Sequence, residues 1–142
     1  MGLLDKIFGN KEEYQPLPQG HAAMNRMQQD MKGLETLVGD VTDRLEVVPG
    51  EKASYVFIGK PPKMFGLAWV EGDVVRDFKT LGKEKGLTSL DLKPVMDKIK
   101  AAYENNPPDE RYALQLGGRE ILVAPAGSLA SAVEQAIQAA SA

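Results

Sequence analysis

The stretch from Ala53 to Leu81 limits the possible folds more than any other part of the chain. Ser54, Val56 and Ile58 alternate with Tyr55 and Phe57, and after Gly59-Lys60-Pro61-Pro62-Lys63 a second run, Met64 to Val70, sets Phe65, Leu67 and Trp69 on one face. Successive strand side chains point to opposite faces, so period-two alternation rich in aromatic and β-branched residues signals strands. Glu71-Gly72-Asp73 supplies a tight turn, because Gly accepts positive φ and Asp bonds its own backbone. Val74 to Leu81 is then expected to return as a third strand, with helix as the alternative, since Val74, Phe78 and Leu81 also fit helical spacing.

A second pair of strands follows further along. Arg111 to Leu116 and Arg119 to Pro125 alternate about Gly117-Gly118, a two-residue hairpin turn, with Tyr112, Leu114 and Leu116 on one face together with Ile121 and Val123. Helical periodicity fills the rest. From His21 to Glu46, Met24, Met27, Met31, Leu34, Val38, Val41 and Leu45 step by threes and fours, which predicts a long amphipathic helix closed by Pro49-Gly50. That stripe either covers the sheet or forms a two-helix seam, in which Met provides an adaptable packing face. Ser89 is placed to cap a helix from about Leu90 to Asn105, with Leu92, Val95, Met96, Ile99 and Tyr103 inward. Ser128 is placed to cap a last helix with Leu129, Val133 and Ile137 inward.

With 142 residues, 43% hydrophobic and 26% charged, the chain suits one folded domain. Positions 1–20 are expected to form a flexible segment and 21–142 a single α+β domain. In the first segment Leu3, Leu4, Ile7 and Phe8 lie at helical spacing, an apolar hook that needs a surface to dock on, whether the protein's own core, a partner or a membrane. Lys11 to Gly20, with Pro16 and Pro18, reads as an extended linker. The start has neither the charge nor the apolar run of a secretory signal, and Lys6 breaks the myristoylation pattern, so a cytoplasmic protein is expected.

Charge and chemistry narrow the function. A net charge of −3 argues against a nucleic-acid partner, which calls for a basic surface. No Cys and a single His exclude thiolate chemistry, iron–sulfur clusters and most metal and triad sites, so no cofactor, metal or catalytic residue is expected. Asp40, Asp43 and Glu46 read as helix-surface charges whose spacing fails the Ca²⁺-loop pattern. Lys60 and Lys63 sit on a loop stiffened by Pro61-Pro62, where solvation is the plain role and anion contact the sharper one. Trp69, with Phe65 and Leu67, is either core or an exposed binding platform.

The expected element order is α-β-β-β-α-β-β-α, a five-stranded antiparallel sheet covered by helices on one side. In that order, in size and in acidity the chain resembles the type III secretion chaperone-like fold. The resemblance implies a non-enzymatic homodimer that holds a client protein along exposed apolar surface. The expected function is accordingly a protein-interaction module, chaperone-like or scaffold. Its partner or dimer interface is expected at Met24, Met27, Met31, Leu34, Val38, Phe65, Leu67 and Trp69. The alternatives are a peripheral membrane or assembly adaptor using the N-terminal hook, and a small-ligand sensor.

Overall fold

A computed structural model describes residues 14–141. Among these residues the chain builds α1 (Ala23–Gln29), α2 (Met31–Asp40), β1 (Leu45–Pro49), β2 (Ser54–Lys60), β3 (Met64–Glu71), β4 (Val74–Asp77), α3 (Phe78–Lys85), α4 (Ser89–Asn105), β5 (Tyr112–Leu116), β6 (Arg119–Val123) and α5 (Gly127–Ser141). The six strands form one sheet in the order β4-β3-β2-β1-β6-β5. Every neighbouring pair is antiparallel except β1 and β6, which run parallel with Glu46 beside Leu122 and Val47 beside Val123.

Alternation along the strands divides the core into two. Val48, Tyr55, Phe57, Leu67 and Trp69 pack with α3, α4 and α5 residues such as Leu81, Ile99, Leu129 and Val133. The intervening Leu45, Val47, Val56, Ala68 and Val70, with Ile121 and Val123, pack with Met27, Leu34 and Val38 of α1 and α2. The sheet is therefore buried on both faces between two helical layers. The α+β class stands; the five-stranded antiparallel sheet with helices on one side is corrected to six mixed strands with helices on both, and the order of elements behind the chaperone resemblance is replaced.

Two local readings change with it. The expected long helix breaks at Asp30 (φ −102°, ψ 9°) and ends at Asp40, with Val41 already extended. Leu45 to Pro49 leaves the helical stripe to become the central strand β1, because Leu45 and Val47 face one core while Val48 faces the other. Val74 to Leu81 is half strand and half helix. The Asp77 side chain accepts from the Thr80 amide while Thr80 accepts from the Asp77 amide, and this reciprocal cap starts α3, which Gly86 ends at φ +67°. By contrast the Gly117-Gly118 turn (φ +60° and +81°), the shared face of Tyr112, Leu114, Leu116, Ile121 and Val123, and the inward Leu129, Val133 and Ile137 of α5 are as expected, although α5 already begins at Gly127 and Ser128 lies within its first turn.

Two glycines of α2 separate propensity from packing. Ala is worth roughly 0.5–1 kcal/mol over Gly inside a helix. Nothing lies within 4 Å of a Cβ built on the exposed Gly39, so Gly39→Ala is expected to stabilise by about 0.5 kcal/mol. A Cβ on Gly33 would fall on Val70 Cγ1 and 3.0 Å from the Gly72 carbonyl oxygen, whose bond from the Gly33 amide pins α2 to the β3–β4 turn. Gly33→Ala is expected to destabilise by roughly 1–3 kcal/mol. Urea unfolding of the pair checks the opposite signs.

Candidate functional site

The eight apolar residues expected at an interface do not share a surface. Met27, Leu34 and Val38 are buried on the α1–α2 side of the sheet, with Met24 and Met31 half-buried against them. Leu67 and Trp69 are buried on the opposite side, with Phe65 half-buried, and Trp69 packs edge-on against Phe78 at 5.3 Å. The Met-bearing stripe and the aromatic face thus serve the two cores, and Trp69 is core, not platform. Lys60 and Lys63 are exposed on the β2–β3 connection. The hook residues Leu3, Leu4, Ile7 and Phe8 lie outside the described residues.

The charged residues are arranged differently from the sequence reading. Asp40 and Asp43 are exposed, whereas Glu46 is fully buried in β1, which corrects its assignment to a helix surface. Its carboxylate accepts from the Tyr103 hydroxyl at 2.6 Å and from Arg111 Nε at 2.5 Å, and Arg111 also donates to the Tyr103 oxygen at 3.0 Å. Arg44 stands 3.7 Å away on the same carboxylate oxygen that Arg111 uses. A second buried acid, Asp30, fills the break between α1 and α2. It accepts from Arg26 Nε and NH2 at 2.8 and 2.9 Å, from Ser54 Oγ at 2.7 Å and from the Gly72 amide at 2.8 Å. The two clusters pair buried charge with full hydrogen bonding, the condition under which charge is tolerated in an interior.

Burial, reinforced by the Glu46 carboxylate, pushes the Tyr103 hydroxyl up to about 12. An unfolded Tyr titrates near 10, so the folded state favours the neutral phenol; the resulting stability is complete below pH 10 and is lost as pH rises through about 12. The loss is expected to be on the order of 2 kcal/mol, and Tyr103→Phe should flatten it. Urea midpoints between pH 9 and 12 measure the slope; equal slopes in parent and variant would remove Tyr103 from the account. For Arg111, burial works against the cation, and the hydrogen bonds it donates to Glu46 and Tyr103 overcome it, leaving the guanidinium held more firmly charged than usual.

Concave surface collects around the start of α5. A cleft of about 520 Å³ lies between the α4–β5 connection and the β6–α5 connection, lined by Asn105, Asn106, Pro107, Asp109 and Glu110 on one side and Pro125, Ala126, Gly127, Ser128 and Leu129 on the other. A smaller one of about 180 Å³, lined by Pro49, Gly50, Glu51, Gly127, Ala130, Ser131 and Glu134, shares Gly127 with it. The larger follows the carboxyl end of β6 and the smaller the carboxyl end of β1, its parallel neighbour, the side of a sheet on which α/β proteins place ligands. At the larger cleft, Asn side chains offer donors and acceptors, the exposed Asp109 and Glu110 carboxylates favour a cation, and the first turn of α5 presents its positive end.

Neither wall of this cleft is signalled by the sequence, in which Asn105 ends one helical stripe and Ser128 is placed to cap the next. Among the described residues no helix is long and apolar enough to cross a membrane, and no group of three or more His, Asp or Glu residues is arranged to hold a metal ion. The chain matches no protein-family model, no curated protein and no solved structure.

Proposed function

We propose that this protein is a non-enzymatic interaction module, and that a polar, base-bearing segment of a partner protein occupies the cleft between the α4–β5 and β6–α5 connections. The observation that carries the reading is the cleft itself. Its volume of about 520 Å³ is in the range of sites that enclose several residues or a small ligand. The Asn105 and Asn106 amides match main-chain peptide groups, and Asp109 and Glu110 match a Lys or Arg side chain. Two connections form the walls, and the α4–β5 connection is held at its two ends by the Tyr103–Glu46–Arg111 hydrogen bonds, which limits the ordering required on binding.

The test is an amide NMR titration of the full chain with short Lys- and Arg-bearing peptides. Shifts concentrated at Asn105, Asn106, Gly127 and Ser128, weakened at least tenfold by the double charge reversal Asp109→Lys and Glu110→Lys, are expected. Peptides that leave those four amides unmoved would sink the reading. Metabolites that move them where peptides do not would turn it into a small-ligand sensor.

A further inference from the structure

The linker ahead of α1 is part of the sheet. Leu17 donates its amide to the Ala113 carbonyl at 2.9 Å, and Ala113 donates its own amide to the Gln15 carbonyl at 2.9 Å, so Gln15 to Leu17 lies parallel along the outer edge of β5 with Pro16 opposite Ala113. Within Gln15 to Gly20 the buried side chain is that of Leu17. Leu17 is 7% exposed and joins the core cluster of Met27 and Ile121, whereas Gln15, Pro16, Pro18, Gln19 and Gly20 are exposed. Pro16 has no amide to offer outward, so a further strand finds no donor there and the sheet stops. The junction to α1 is separately secured: His21 Nδ1 accepts from the Ala23 amide, the His21 ring lies 5.4 Å from Tyr112, and Asp30 fixes the helix end.

The geometry points to the β5 edge as a binding groove for an extended peptide, with Gln15–Leu17 as its displaceable occupant from the same chain. The segment in place shows what the groove takes: an extended backbone that offers a carbonyl and, two residues later, an amide to Ala113, and that inserts a Leu-sized apolar side chain into the α1–α2 core. Release of those two hydrogen bonds and of the Leu17 side chain leaves α1, β5 and β6 with their other contacts, so a partner segment of the same pattern takes the edge once it exceeds the effective concentration of the tethered strap. This edge is a different surface from the cleft beside α5, although Tyr112, which packs on His21, also donates its hydroxyl to Glu110 of the cleft wall.

The test uses the full chain, Leu17→Asp, Leu17→Pro and a fluorescein-labelled peptide of the chain's own residues 11–20. Leu17→Asp removes the anchor, and Leu17→Pro removes the amide donor while keeping an apolar ring. Both variants are expected to bind the peptide at least tenfold more tightly than the parent, whose own strap competes. Amide exchange at Ala113 is expected to quicken at least tenfold in the variants and to slow again on peptide addition, with the Val56 and Val123 amides unchanged as the folding control. Peptide that binds neither variant while those control amides stay protected, or an Ala113 amide as slow in the variants as in the parent, would overturn the proposal. A parent that dimerises, and that Leu17→Asp returns to monomer, would instead seat the strap of a second copy on β5 and overturn the same-chain assignment.

Discussion

Asp30→Ala is expected to lower stability by about 3–5 kcal/mol, the cost of leaving a buried charge without its partner. At this chain length that corresponds to a fall in melting temperature of roughly 10–20 °C. The Arg26 guanidinium, the Ser54 hydroxyl and the Gly72 amide all point at the vacated position, and the Ser54 side of the site is closed to water. The effect reaches three places at once. Asp30 joins the α1–α2 break to the first residue of β2 and to the β3–β4 turn, so its loss loosens the helical layer from the sheet as well as leaving polar groups unmatched. Combining it with Arg26→Met, which removes the stranded cation, should cost clearly less than the sum of the two single changes. Urea unfolding of the three variants decides it; a loss under 1 kcal/mol for Asp30→Ala would show that the cluster does not hold the layers together.

The second large effect is expected at Glu46. Glu46→Leu is predicted to cost about 3 kcal/mol, near the low end for breaking a buried pair, because the Arg111 side chain retains 27% exposure and is able to turn toward water. The Tyr103 hydroxyl is in a tighter position: it keeps Arg111 as a donor but loses its acceptor. Replacing Arg111 by Met and Tyr103 by Phe in the same chain should recover at least half of the loss, since an apolar set of similar volume fills the space without stranded polar atoms. A triple variant no more stable than Glu46→Leu alone would mean that the cluster does more than satisfy itself, for instance by fixing the approach of β5 to β1.

The parts of this fold that were legible in the sequence are the parts settled by neighbours. Gly117-Gly118 between two alternating runs carries its own turn chemistry, and the Leu129, Val133, Ile137 stripe carries the period of the helix it forms. β1 was hidden because Val41 and Leu45 happen to extend the three-and-four stepping of the Met-bearing stripe, while the decisive influence is pairing with β2 and β6 on either side. α3 was half legible: Phe78 and Leu81 carry helical spacing, but its cap pairs Asp77 with Thr80, where a Glu or Gln is the familiar partner. The buried acids were out of reach for a different reason. Asp30 meets Ser54 and Gly72 at separations of 24 and 42 residues, and Glu46 meets Tyr103 and Arg111 at 57 and 65, distances over which no local pattern reports. One hint was present: Asp30 lies three residues after Met27 and directly before Met31, beside the apolar stripe, where an acid has to be either exposed or matched. The candidate cleft was illegible because its two walls come from connections that only the finished sheet brings together.

The parallel pairing of β1 with β6 also bears on the order in which the protein assembles. β1 through β4 form an uninterrupted antiparallel meander, and β5 with β6 a hairpin; each closes through short turns and so forms quickly. Joining them brings position 47 to position 123, across two helices, for a seam of two aligned residue pairs and the bond from the Ala124 amide to the Val47 carbonyl at 2.7 Å. The chain entropy of that closure has to be met before the seam's contacts form, which makes docking of the hairpin the slow, late step of folding. Glu46 and Arg111 lie one on each side of this seam, so the buried ion pair doubles as the clasp of the last joint to close and the first to part.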